Sequence, residues 1–210
     1  MALIWWKDYT LKQNKRWIVL GKGPNFSNMR NEHYEDYNLI GLNHTIQQAY
    51  VDICHIYDIE VLRDLQEEVH LNAHMLAMPW FPHKERRPSP VSLDEWAKEY
   101  PVLKYLKTQG RLITYYGSTG AKYMTKPEPT IPIYHSSAEA AVGLLLEKKV
   151  SPIHLIGVDG GKGYASEFPA STRLPGGSGV YDKQMQCIKE ECQKANTKLL
   201  RWEIDKWVEL

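Results

Sequence analysis

Residues 16–25, Arg-Trp-Ile-Val-Leu-Gly-Lys-Gly-Pro-Asn, set a short apolar run directly against a glycine turn. A run this short, closed by a turn signal, reads as a buried strand rather than a helix. The pattern recurs along the chain. Residues 38–42 are closed by Asn43 and His44, 52–57 by Asp58, 74–78 by Pro79 and 152–158 by Asp159; 111–116 and 198–202 read as further strands. Helix-like stretches separate them. Ile59, Leu62, Leu65 and Val69 give 59–70 a helical period, and Ser92 with Glu95 opens a helix toward Gly110 in which Pro101 is a candidate break. Ser136 or Ser137 caps a helix over 138–149, and 181–195 forms the last long one. Strand and helix in this alternation specify an α/β fold: a Rossmann-like, mainly parallel sheet with helices on both faces.

A chain of 210 residues suits a single Rossmann-like nucleotide-binding domain carrying lid-like loops. Two segments fit the lids. In 80–92, Pro82, Pro88 and Pro90 interleave with His83, Lys84, Arg86 and Arg87, and 160–179 is polar and rich in glycine. Lys and Arg total 26 against 25 Asp and Glu, so no charge excess points to nucleic acid. No apolar run approaches the roughly 20 residues that cross a bilayer, and the first residues lack a signal-peptide pattern. Three cysteines without C-x-x-C spacing favour a reducing compartment, so the expected location is cytoplasmic. Trp5, Trp6 and Trp207 near the ends read as exposed, leaving room for a homo-oligomer.

Ligands of open α/β sheets bind beyond the carboxyl ends of the strands, near the point where strand order reverses. The residues just past each predicted strand are therefore the site candidates: Gly21, Gly23, Pro24 and Asn25, then Asn43 and His44, Asp58, His135 with Ser136 and Ser137 at a helix start, and Asp159. Gly21 and Gly23 permit close backbone approach to a ligand, and a helix start just beyond favours an anion. No Gly-Lys-Ser/Thr follows, which excludes a P-loop. Phe26 stands at the third dinucleotide glycine, and Asn43 replaces the acidic ribose ligand, which disfavours a dehydrogenase. His55 and His154 fall mid-strand and read as core. His44 and His135 lie at strand ends and, with Asp58, are the acid–base candidates. Arg86 or Arg87 from one lid, and Tyr164, Ser171, Thr172 and Arg173 from the other, could meet a phosphate.

Gly21-Lys-Gly-Pro-Asn, Gly41-Leu-Asn43, the strand ending at Asp58, and the block from His135 to Asp159 resemble two related groups. One is the bacterial sialyltransferases of glycosyltransferase family 42. The other joins the motility-associated factors and the 6-hydroxymethylpterin pyrophosphokinases. The resemblance implies a nucleotide-linked donor held by Gly21, Gly23, Pro24, Asn25, Asn43, Ser136, Ser137 and Asp159, with Tyr164 and Arg173 at the departing phosphate. The family's catalytic histidine, placed before the last long helix, has no counterpart: Gly176, Gly177, Ser178 and Gly179 stand there. Asp58 matches the strand end of the second group.

Three functions are therefore expected alternatives. The first is a glycosyltransferase-like enzyme using a nucleotide sugar as co-substrate, a CMP-linked one being the first candidate, with Asp58, His44 or His135 deprotonating a hydroxyl acceptor. The second is an ATP-dependent pyrophosphokinase of the hydroxymethylpterin type, with Mg²⁺ on Asp58 and Asp159. The third is a non-catalytic nucleotide or metabolite binder.

Overall fold

The computed structural model describes residues 3–12, 15–125, 128–133, 136–160, 163–169 and 180–210. Eleven strands and seven α-helices follow in chain order among them. They are β1 (Ile4–Trp5), β2 (Arg16–Leu20), α1 (Asn31–Asp36), β3 (Tyr37–Leu42), β4 (Val51–His55), α2 (Ile59–Asp64), α3 (Gln66–Asn72), β5 (Ala73–Pro79), β6 (His83–Lys84) and β7 (Arg87–Pro88). There follow α4 (Leu93–Glu99), α5 (Pro101–Thr108), β8 (Leu112–Tyr115), α6 (Ser137–Glu147), β9 (Ile153–Ile156), α7 (Val180–Lys194), β10 (Leu199–Glu203) and β11 (Lys206–Glu209).

Nine strands form one sheet in the order β1-β8-β5-β4-β3-β2-β9-β10-β11. Every pairing in it is parallel except β10 with β11. Successive side chains of β2 leave opposite faces, as the period of two requires. Ile18 and Leu20 join the helical residues Leu62, Val69, Trp96 and Leu103 on one face, while Trp17 and Val19 join Ala141, Leu145, Met185 and Ile188 on the other. The sheet thus carries α2 to α5 on one side and α6 with α7 on the other, the expected Rossmann-like arrangement. The order runs outward from β2 through β3, β4, β5 and β8, and the chain then returns to the other side of β2 to lay down β9. The switch point lies between β2 and β9.

Several local expectations change. The helix expected over 59–70 is broken at Leu65 (φ −119°, ψ 22°), whose N–H closes back on Leu62 O at 3.1 Å. Pro101 does divide the helix after Ser92, because the residue before a proline avoids the helical region: Tyr100 is extended (φ −100°, ψ 110°). The segment 80–92 is a two-stranded hairpin, β6 against β7, turning on Glu85 and Arg86, both left-handed (φ 52° and 61°). Backbone bonds pin this hairpin at His83 N–H to Tyr57 O (3.0 Å) and Leu93 N–H to Trp80 O (2.7 Å). Glu85 N–H adds a bond to the Glu60 carboxylate (2.8 Å). The free basic lid expected there is therefore a tethered element.

Trp6 is not an exposed terminus. It is 1% exposed and its indole N–H donates to Leu144 O at 3.0 Å, because β1 pairs with β8 and carries Trp6 under α6. Trp5 and Trp207 are half-buried, Trp5 against Trp80 and Tyr116. Among the described residues, no helix is long and apolar enough to cross a membrane.

Candidate functional site

Two turns meet at the switch point. Gly21 N–H donates to Ile156 O (2.8 Å) and Gly23 N–H to Gly157 O (2.7 Å), so the backbone beyond β2 is zipped to the backbone beyond β9. A Cβ on Gly21 would lie 2.4 Å from Gly157 O, and one on Gly157 would lie 2.3 Å from Gly21 O. The glycine requirement at Gly21 therefore comes from strand-end packing rather than from an approaching ligand. Gly23 faces Asp159, whose Oδ2 would sit 2.5 Å from an added Cβ.

Asp159 itself is engaged within the protein. Its carboxylate accepts from Asn25 N–H (2.8 Å) and from the Asn25 side-chain amide (2.9 Å). Burial pushes its carboxyl up, and the two Asn25 bonds oppose that shift. The anion site expected at the helix start after Gly23 is altered accordingly. Residues 24–28 form a short 3-10 turn, and Asp159 takes the N–H of Asn25 there.

Beyond this junction opens a cleft of about 380 Å³, walled by the ends of β2, β3, β4 and β9 and the first turn of α6. It gathers Gly21, Gly23, Asn43, His44, Asp58, Ser136, Ser137, Asp159 and Tyr164, the strand-end candidates that fall within the described residues, apart from Pro24 and Asn25, which do not line it. His135 and Arg173 lie outside the described residues, as do Ser171 and Thr172. A larger hollow of about 700 Å³ lies beside α6 and α7, but none of the strand-end candidates after β2, β3, β4 or β9 lines it. The switch-point cleft is the candidate site because there the strand ends converge.

The cleft has two sides. On one, Asn43 adopts the left-handed conformation (φ 52°), which Asn tolerates better than most residues and which turns the chain sharply at the end of β3. Its amide nitrogen donates to Ser137 Oγ at 3.4 Å. Asn43 Oδ1, His44 Nδ1 and Ser136 Oγ are buried and make no hydrogen bond. Ser136 occupies the cap position of α6 without its hydroxyl capping the helix. Burial, reinforced by Lys22, lowers His44 to about 4, so its imidazole is neutral at pH 7.

On the other side, Asp58 stands before α2 and faces the hairpin. His83 Nδ1 lies 3.8 Å from Asp58 Oδ1, and His83 Nε2 lies 3.3 Å from Thr119 Oγ1. Thr119 is also bonded to Tyr57 Oη. Burial raises Asp58 to about 6, with Glu60 adding to the shift and Arg86 opposing it. Burial lowers His83 to about 4. Across the mouth, Tyr164 and Tyr181 share a hydroxyl–hydroxyl bond, and Lys22 Nζ sits 5.6 Å from the Tyr164 ring centre.

No family model matches this chain, and no curated protein does. Solved structures of similar outline exist. The sialyltransferase CstII from Campylobacter jejuni, in complex with the substrate analogue CMP-3FNeuAc, is 14% identical with a TM-score of 0.47, covering 89% of this chain and 80% of that one. A point mutant of the α-2,3/8-sialyltransferase CstII is 11% identical with a TM-score of 0.48, covering 89% and 81%. CstII with a trisaccharide acceptor and CMP is 12% identical with a TM-score of 0.45, covering 89% and 80%. Likeness at this level assigns neither substrate nor residue roles.

The sequence singled out His83 only as one charge of a basic loop, and gave Thr119, Tyr57, Tyr181 and Gln184 no role; all line the cleft. The strand-end test applied to β5 would have pointed to the segment carrying His83. As for a metal, Asp58 and Asp159 share the cleft, but both oxygens of Asp159 are taken up by Asn25. Among the described residues, no group of three or more His, Cys, Asp or Glu side chains is gathered as a metal ion requires.

Proposed function

We propose that this chain is a glycosyltransferase-like enzyme that moves a sugar from a nucleotide-sugar donor, CMP-linked, to a hydroxyl acceptor. One observation carries the reading: three buried polar atoms, Asn43 Oδ1, His44 Nδ1 and Ser136 Oγ, go unpaired on one wall of the switch-point cleft. Each costs about 1–3 kcal/mol when left unmade, so a polar ligand that pairs with them recovers what the empty fold forgoes. A nucleoside monophosphate has matching donors and acceptors and suits a cleft of this size. In this reading Gly21, Gly23, Pro24, Asn25 and Asp159 build the floor, Asn43, Ser136 and Ser137 hold the nucleotide, and Tyr164 contacts the leaving phosphate. His135 and Arg173 remain candidates by position in the chain. The acceptor enters on the side of Asp58.

Thermal shift tests this directly, using CMP, UMP, GMP and AMP with and without Mg²⁺. CMP at a hundred times its Kd should stabilise the chain by about 2.7 kcal/mol. For a chain of this length that raises Tm by roughly 5–10 °C. No shift with any nucleotide would sink the reading. A variant sharpens it. Asn43→Gly keeps the left-handed backbone and removes the amide, and it should weaken CMP roughly tenfold while leaving the apo Tm within a few degrees.

A further inference from the structure

We propose that His83 is the group that takes the proton from the acceptor hydroxyl, with Asp58 as the residue that orients and charges it. The inference rests on the glycosyl-transfer reading and names the base that reading lacks. Three constraints fix the ring. The backbone N–H of His83 is tied to Tyr57 O at 3.0 Å, and its ring centre lies 4.3 Å from that of Tyr57. Its Nδ1 lies 3.8 Å from Asp58 Oδ1, beyond hydrogen-bond range but near enough for the carboxylate to favour a charged ring, and its Nε2 points the other way, toward Thr119. A hydroxyl already lies at Nε2: Thr119 Oγ1 at 3.3 Å, a long contact. Thr119 keeps its bond to Tyr57 Oη when an acceptor hydroxyl takes its place at Nε2, so the exchange costs little.

The alternatives fit less well. His44 Nδ1 is buried, and burial together with the cation of Lys22 disfavours a proton on that ring. Asp58 faces Nδ1, away from the Nε2 that meets the Thr119 hydroxyl, which is the place of an orienting carboxylate. Charged groups around the pair are Glu60, which favours the imidazolium, and Arg86, which favours ionised Asp58.

The step balances. The acceptor oxygen bonds to the donor's anomeric carbon and its proton goes to Nε2. The bond from that carbon to the phosphate oxygen breaks, and the departing nucleotide keeps the electron pair. The imidazolium is held by ionised Asp58 and returns its proton to solvent.

Release of CMP from CMP-N-acetylneuraminate, with water as acceptor, is the assay. His83→Gln is expected to lower kcat about 10²–10⁴-fold, with KM for the donor and Kd for CMP within about threefold of the parent. A kcat within threefold of the parent, or a loss confined to KM, overturns the assignment. Should His83→Gln not fold, the parent's pH profile decides. The rate per folded molecule should rise through pH 6 as Asp58 ionises, and Asp58→Asn should lower that rate and remove the limb. A parent rate flat from pH 5 to 8 overturns the pair. If the parent neither binds CMP nor releases it, the functional reading falls and takes the assignment with it. Release that survives His83→Gln removes the assignment alone.

Discussion

Gly157→Ala should destabilise the fold by roughly 2–5 kcal/mol and abolish CMP binding with it. Two costs add. Gly157 sits at φ 66°, where a Cβ strains the backbone by about 1–2 kcal/mol. That Cβ would also lie 2.3 Å from Gly21 O and 3.2 Å from Phe26 Cβ, so the turns beyond β2 and β9 must part. Backbone oxygen cannot rotate aside as a flexible side chain can. Parting lengthens the Gly21 to Ile156 and Gly23 to Gly157 bonds and pulls Asp159 from Asn25, on which the floor of the cleft depends. Denaturant titration checks the result: the midpoint should fall with the slope unchanged. A loss under 1 kcal/mol would show that the junction is slack and that its glycines are not set by packing.

The sheet was legible because a parallel sheet covered on both faces makes its strands continuous apolar runs. β2, β3, β4, β5 and β9 all announced themselves in that way. The helix start at Ser92 was legible too, since its capping box is local: Glu95 N–H to Ser92 Oγ at 3.3 Å, Ser92 N–H to Glu95 Oε2 at 2.8 Å. β1 has two residues and no period to read. The β6–β7 hairpin turns on Glu85 and Arg86, neither of which signals a left-handed turn. Most of the cleft's lining followed from asking what lies past each strand. The pairings within the cleft did not. Asn25 with Asp159 spans 134 positions, and His83 joins Asp58 only because a hairpin folds back over the end of β4. Contacts of that kind belong to tertiary packing, and local pattern is silent about them.

Acid should destabilise this protein increasingly below pH 6.5, and buried histidines are the cause. Burial lowers His154 to about 4 and His55 to about 3, and both side chains are fully enclosed. His44 and His83 are lowered to about 4, and His33 is lowered as well. The unfolded chain protonates these rings near 6.5, whereas the folded chain holds His44, His83 and His154 neutral down to about 4. Between those values the unfolded state binds more protons, so stability falls as pH falls. Each ring held at about 4 accounts for about 2 kcal/mol between pH 7 and pH 5. Asp58, raised to about 6, works the other way and returns about 1 kcal/mol over the same interval. The histidines outnumber it, so the net effect is destabilising and comparable with a domain's whole stability. His154 isolates the effect. Its ring packs on Tyr37 and Trp207, with centres 5.0 and 4.5 Å away, and Arg16 and His33 further disfavour its charge. His154→Phe fills the same aromatic space without a titrating nitrogen. At pH 7 its stability should lie within about 1 kcal/mol of the parent, and at pH 5 it should exceed the parent by about 2 kcal/mol. Urea midpoints at the two pH values measure this, and an equal loss in variant and parent would rule His154 out as a source of the acid limb.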